Sequence, residues 1–304
     1  MHSTTIAVDL AKNVFELAVA GPDWKLIERH RLSRAKFALF FVQRPPCRVV
    51  MEACGSAHHW ARQITASGHL VELLPAQYVR AYVKRNKTDR ADAAALIEAA
   101  RCGDIRPVPV KSVEQQQIQA LHRLRTQWVA SRLRCINGLR GILREFGIVI
   151  AVGANAAKEQ IGIALAEPNN AVPEGLRPAL IDALGEVRVL EERIIGIERE
   201  LAALTRQDQT VRQLREIPGI GLLTGTALRA SVCDIQRFPS GRHFASWLGL
   251  TARERSSAES RRLGRISKRG DIYLRTLLVH GARSALLAAH RTERSGKPLD
   301  RLRR

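Results

Sequence analysis

Five short β-prone runs fill the first 74 residues: TIAVDLA (4–10), NVFELAVA (13–20), KLIERHRL (25–32), CRVVMEA (47–53) and LVELL (70–74). Each holds five to eight residues, too few to bury the stripe of a globular helix but enough to cross a sheet. Helical patterns are expected between them, over 35–43 and 57–66. The first three runs follow one another as a meander would. The later ones alternate with helices, which requires some parallel pairing. The opening segment is therefore expected to be an α/β domain with a mixed sheet, ending near residue 105.

The pattern changes after RPVPV (106–110). From about 112 to 146, Ile118, Leu121, Trp128, Ile136, Leu139, Leu143 and Phe146 fall near one helical stripe, with Arg123, Arg125, Arg132, Arg134 and Arg140 elsewhere. Residues 149–176, rich in Ala, Asn, Pro and Gly, read as a linker or hinge. A second long helix is expected over 177–206. There Leu180, Leu184, Val187, Ile194, Ile197, Leu201 and Leu204 recur at a coiled-coil spacing, so helix pairing within or between chains is expected. The division is 1–105, a helical coiled-coil or linker region at 106–210, and a mainly α domain at 211–304. The last opens on REIPGIGLLTGTALRASV (215–232), whose PGIG turn resembles a helix–hairpin–helix able to hold a phosphate, or serves only as a tight turn.

The charge points to a partner. With 49 Lys+Arg against 29 Asp+Glu the chain carries +20, the signature of a polyanion binder, most often of nucleic acid. From Arg253 onward there are 15 Lys+Arg and 5 Asp+Glu, which concentrates half of that excess at one end. No run approaches the 18 or so apolar residues of a membrane span, and no signal peptide precedes the first strand, so a cytoplasmic protein without membrane partners is expected. The five cysteines are scattered, without zinc spacing, and are expected to be reduced and buried.

Within this basic chain, KRNKTDRADAAAL (84–96) sets Lys84, Arg85, Lys87 and Arg90 around Asp89 and Asp92. Thr88 can cap a helix running from Asp89 to about Arg101. At roughly 100° per residue, Asp89 and Asp92 project within about 60° of each other, on the side of Leu96, Ala99 and Ala100. Acids in a first turn commonly do no more than complement the helix dipole. Two others widen the pattern, because Asp9 closes TIAV and Glu52 closes RVVM, each where a buried strand meets its C-terminal edge. A turn-forming Asp and an arginine-paired Glu are ordinary uses of such positions. Four converging carboxylates repel unless neutralised, and their hard oxygens suit Mg²⁺ or Mn²⁺ in phosphoryl transfer. Lys84, Arg85 and Lys87 would then hold a DNA or RNA backbone beside the metal.

An Asp on the first strand, a Glu on the fourth and an Asp pair on a following helix is the order of the RNase H-like fold. VDLAKNVFELAVA, VVMEACGSAHHWARQ and NKTDRADAAALIEA resemble the DEDD transposases of bacterial insertion sequences, whose N-terminal domain is RuvC-like. IPGIGLLTGTAL, RFPSGRHFASWLGL and SSAESRRLGRISKRGDIYLRTLLVHGAR resemble the second block of the same family, the IS-one-ten type and its IS-eleven-eleven subgroup. The resemblance covers nearly the whole chain. It implies a DNA recombinase that excises and inserts an element, with Asp9, Glu52, Asp89 and Asp92 as metal ligands and catalytic acids. It also implies a nucleophilic serine at Ser257, with Ser256 its neighbour, where Ala258 stands in place of the family's frequent Gly. The partners implied are donor and target DNA, a structured guide RNA from the element, and further copies of the chain in a dimer or tetramer, at the bacterial nucleoid. Base pairing would then supply specificity. The chain ends where family members usually continue through a further apolar helix, so a shortened C-terminus is expected.

On residues alone, Ser257 among Arg253, Arg255, Arg261, Arg262, Arg265, Lys268 and Arg269 could equally be part of a phosphate-binding loop. Two other readings therefore stand beside recombination: a structure-selective endonuclease using the four acids alone, and a non-catalytic nucleic-acid binder.

Overall fold

The computed structural model describes residues 4–82, 89–257 and 260–294, without the side chains of residues 89–91. The chain forms two compact units, Met1–Ser112 and Val113–Arg304.

The first unit contains β1 (Thr5–Asp9), β2 (Val14–Ala20), β3 (Leu26–Ser33), α1 (Arg34–Val42), β4 (Arg48–Glu52), α2 (Ala57–Ala66), β5 (Leu70–Leu74), α3 (Ala76–Val79) and α4 (Asp89–Arg101). The sheet runs β3-β2-β1-β4-β5. The meander β1-β2-β3 is antiparallel, while β1, β4 and β5 are parallel, so the expected mixed sheet is present. Period-two alternation sends Ile6, Val8, Phe15, Leu17, Val49 and Met51 to one face, where Phe37 and Phe41 of α1 and Trp60 and Ile64 of α2 cover them. Phe15 stacks on Phe37 with ring centroids 4.3 Å apart, and Trp60 meets both edge-on. Burying such a ring contributes on the order of 1.5–3 kcal/mol. The opposite face carries smaller side chains, Ala7, Ala18 and Val50, under Ala93, Leu96, Ile97 and Ala100 of α4. Small residues on both sides let α4 lie close to the sheet.

Below the sheet, buried His69 donates from Nε2 to the Phe41 carbonyl (2.9 Å) and accepts the Cys47 backbone N–H at Nδ1 (3.2 Å). All five cysteines are free. The expectation that all are buried holds only at Cys47: Cys102, Cys135 and Cys233 are half-buried, and Cys54 is exposed in the turn leaving β4.

The second unit contains α5 (Val113–Glu145), α6 (Ala154–Ala166), α7 (Arg177–Leu204), α8 (Gln209–Glu216), α9 (Leu222–Ser231), α10 (Gly241–Trp247), β6 (Ala252–Glu254), β7 (Leu263–Ile266) and α11 (Ile272–Arg294). The α7 stripe of Leu180, Leu184, Val187, Leu190, Ile194, Ile197 and Leu201 is buried, and α7 pairs with α5 inside the chain. Salt bridges Arg125–Glu198 (2.8 Å) and Arg132–Glu191 (3.5 Å) flank the seam. The linker expected at 149–176 is a correction: α6 forms within it, burying Ala157, Ile161 and Leu165 against α5 and α7. Those residues recur every four positions, a helical signal masked by the Gly, Asn and Pro around them.

The PGIG turn does join two helices, α8 and α9. Gly219 adopts φ +89°, and a Cβ there would stand 2.6 Å from the Gly281 carbonyl oxygen of α11. The glycine is thus required by a backbone-to-backbone contact as well as by its left-handed conformation.

Three helices meet at His122, which is 4% exposed. Thr226 Oγ1 donates to the Leu222 carbonyl (2.7 Å), so it accepts from His122 Nε2–H (2.9 Å), which leaves Nδ1 to accept from the Tyr273 hydroxyl (2.8 Å). A neutral ring serves both partners, as donor to Thr226 and acceptor from Tyr273. Burial, aided by the nearby Arg125 charge, lowers its pKa to about 4 from an ordinary 6.5. The unfolded chain takes up this proton near pH 6.5 and the folded chain only near pH 4. The stabilisation is therefore intact above pH 6.5 and is lost as pH falls toward 4, by about 3 kcal/mol in all. His122→Gln is expected to be less stable at pH 7 but to show a shallower loss between pH 7 and 4.5 in urea unfolding. His58, also lowered to about 4, adds its slope to both proteins, so the difference between them reports His122.

Candidate active site and nucleic-acid interface

The parallel register Val8↔Met51 brings the next residues, Asp9 and Glu52, to the ends of adjacent strands. Alternation turns both toward the face that α4 covers, since Ala7 and Val50, two residues earlier, pack there. Their charges act together on Cys54: although that residue is exposed by surface area, its thiol pKa is raised, first by desolvation from the protein packed around the sulfur and then by Glu52 and Asp9. Asp92 approaches the same face from α4, where Ala93 and Leu96 are packed on the sheet. Its Oδ1 is fully buried and has no hydrogen-bond partner among the described residues. The projection made from sequence holds for its neighbours: Leu96, Ala99 and Ala100 are buried, whereas Glu98 and Arg101 are exposed and pair at 3.0 Å.

Asp89 begins α4, but its side chain lies outside the described residues, as do Lys84, Arg85, Lys87, Thr88 and Ala258. Among the described residues no group of three or more His, Cys, Asp and Glu side chains is gathered to hold a metal ion. The donors that are described nevertheless suit a hard divalent cation. They are carboxylates gathered at one sheet face, two from strand ends and one from α4, and one of them keeps a buried oxygen that no donor among the described residues serves, a costly arrangement without a counter-charge.

One acid on this face was missed from sequence. Glu16 pairs across the antiparallel ladder with Asp9, and its side chain, 18% exposed, contacts Arg31 at 3.3 Å. The short connection between the first two strands carried that signal, because it fixes their register.

The serine region is a hairpin. β6 and β7 pair antiparallel, Arg255 N–H donates to the Arg262 carbonyl (2.9 Å), and Ser257 and Ser260 exchange backbone bonds of 3.1 and 3.0 Å. Every described residue from Ala252 to Arg265 is exposed, so Arg253, Arg255, Arg261, Arg262 and Arg265 can all reach a polyanion. Lys268 and Arg269 follow, the former at φ +56°. Arg253 also braces the hairpin, donating from Nε and Nη2 to the Ser267 carbonyl (3.2 and 3.0 Å). Ser256 Oγ donates to Glu254 Oε1 at 2.7 Å and accepts Arg262 N–H at 3.2 Å. Glu254, contacted by Arg261 at 3.4 Å, is a second acid that sequence reasoning passed over. The strand period of two places it beside Ser256.

No helix among the described residues is long and apolar enough to cross a membrane.

Residues 6–148 match the DEDD transposase family model of the IS110 type, and residues 211–296 match the model described as the IS116/IS110/IS902 transposase family. A probable family 20 transposase of Pseudomonas aeruginosa is 42% identical over 287 residues, 94% of this chain and 85% of that protein. The transposase for insertion sequence element IS1111A of Coxiella burnetii is 39% identical, covering 92% of this chain and 77% of its own length. The transposase for IS1328 of Yersinia enterocolitica is 37% identical, with coverages of 92% and 83%.

If the acids take a divalent cation, Mn²⁺ should raise the thermal midpoint of the protein, by about 2.7 kcal/mol of stabilisation at a hundredfold excess over Kd. Asp92→Asn should remove most of that rise while leaving the circular dichroism spectrum unchanged. A wild-type midpoint insensitive to Mn²⁺ would count against the site.

Proposed function

The chain belongs to the IS110-type DEDD transposases, DNA-processing enzymes of insertion sequences, and from that premise we propose that it cuts and rejoins DNA through acids of its first unit and a serine of its second. The observation that carries the first half is that Asp9 and Glu52 stand at the ends of adjacent parallel strands, under a helix whose Asp92 buries a carboxylate oxygen that no described residue serves. In this reading the first unit is RNase H-like, and Asp9, Glu52, Asp89 and Asp92 hold Mg²⁺ or Mn²⁺. A divalent ion bound there would supply charge neutralisation to phosphate oxygens.

Ser257 is the nucleophile in this reading. Its Oγ bonds phosphorus as the bond to the leaving sugar oxygen breaks, the serine proton ending on that oxygen, and the resulting phosphoserine link is later displaced by a free DNA hydroxyl whose proton returns to the serine. Arg255, Arg261, Arg262 and Arg265 hold the phosphate and offset the charge that builds on it. Lys84, Arg85 and Lys87 extend the backbone contacts beside the acids. Specificity comes from a structured RNA of the element paired with donor and target DNA, and the working particle is an oligomer. The net charge of +20 supports affinity for both nucleic acids.

A specific contact favours a second choice of serine. Ser256 Oγ donates a hydrogen bond to Glu254 Oε1 at 2.7 Å, the arrangement of a nucleophile beside a base.

The test is a denaturing gel that retains covalent protein–DNA adducts, followed by peptide mapping of the modified serine. Ser257→Ala is expected to abolish the adduct, Ser256→Ala to leave it within about tenfold, and Asp9→Asn or Asp92→Asn to reduce it by at least about 100-fold, the scale of lost electrostatic stabilisation. An adduct that persists in Ser257→Ala and vanishes in Ser256→Ala would move the nucleophile. Adducts in neither wild type nor variants, with Mg²⁺-dependent cutting, would leave an endonuclease that uses the acids alone.

A further inference from the structure

The hairpin that carries Ser256 and Ser257 has no core of its own. Every residue of its strands is exposed, and the buried cluster that includes Leu248 and Leu274 contains no residue of either strand. Its direction must therefore be set where the chain enters and leaves. Those two feet are Leu248–Gly249 and Lys268–Gly270, and they touch. Lys268 N–H donates to the Gly249 carbonyl (3.0 Å) and Ser267 N–H to the Thr251 carbonyl (2.8 Å). Gly249, at φ +72°, stands so close that a Cβ would lie 2.7 Å from the backbone nitrogens of Arg269 and Gly270.

Arg275 closes this contact. It lies on the first turn of α11, is only 8% exposed, and forms no salt bridge among the described residues. Its Nη1 donates to the Leu248 carbonyl (3.0 Å), on the entering foot, and to the Gly270 carbonyl (3.2 Å), on the leaving one. The same Nη1 would stand 3.0 Å from a Cβ on Gly249, so the glycine leaves room for the guanidinium. Burying a permanent charge without an acid partner is expensive, and here backbone carbonyls alone offset the cost. Lysine, with a point charge and a shorter set of donors, reproduces that geometry poorly.

We infer that Arg275 is the positioning residue of the serine hairpin: one buried guanidinium binds both feet and so fixes where the serines and their flanking arginines stand. The role rests on the reading of this hairpin as the carrier of the nucleophile. It acts through the hairpin and touches no substrate.

The test has two independent arms on the full-length protein, with Arg275→Lys and Arg275→Met. The first is amide hydrogen exchange. Peptides covering 251–267 should exchange at least about tenfold faster in Arg275→Met and to an intermediate extent in Arg275→Lys, while peptides of α5 and α7 keep wild-type protection. The second is the rate of covalent adduct formation. It should fall about 100-fold in Arg275→Met, as misplacement of a reacting group by an ångström does, with partial recovery in Arg275→Lys and an unchanged Kd for non-specific duplex DNA. Ser257→Ala serves as the control, with normal exchange in 251–267 and no adduct. Wild-type exchange of the hairpin in Arg275→Met would overturn the role, as would loss of protection spread equally over the whole second unit in Arg275→Lys. An adduct that survives Ser257→Ala would refute the choice of nucleophile, and the exchange arm would still decide the clamp.

Discussion

The parallel pairing of β1 with β4 is the interaction on which the first unit depends. It is non-local, joining residues more than forty apart in sequence, and it sets two things at once. It defines which face of each strand meets α1 and α2 and which meets α4. It also sets the ends of both strands level, so that Asp9 and Glu52 stand together rather than a residue apart. A slip of one position would turn one of the two carboxylates into the aromatic layer around Phe15, Phe37 and Trp60, where a charge could not be served. The acids are thus tied to the hydrophobic pattern that builds the sheet.

The second unit solves a different problem. Its helices pack through three apolar clusters, and a few polar and backbone contacts join them as well. His122 links α5 to α9 and α11 through two neutral hydrogen bonds, Gly219 seats its turn directly on the Gly281 backbone, and Arg275 holds the two feet of an exposed hairpin. Each contact has a single satisfactory geometry, because a buried donor without its acceptor costs more than the pair contributes. Directional contacts of this kind can hold a hairpin in place that buries almost nothing.

Much of this was legible beforehand. The five strands of the first sheet, the helices α1, α2 and α4, the two long helices and the inward face of Asp92 follow from residue pattern, since side-chain burial with period 2 or 3.6 is written directly into residue order, whereas the short α3 carries no such signal. The helix at 154–166 was hidden by the Gly and Asn around it, and Cys54 was judged by its type rather than by its place in a turn. Glu16 and Glu254 were overlooked because each gains its meaning from a neighbour on another strand or two positions along: Asp9 for the first, Ser256 for the second.

The sequence by itself determined most of the element types of the first unit and the two long helices beyond it, the excess of positive charge, the four acids and the family motifs, because local propensity, composition and spacing are properties of residue order. Only the tertiary structure decided that Val8 pairs with Met51, that an Asp92 oxygen is buried with no donor among the described residues, that Gly219 meets Gly281, and that Arg275 binds carbonyls on both sides of the serine hairpin. Those are contacts between distant residues, fixed by strand register and close packing, and no local pattern in the chain encodes them.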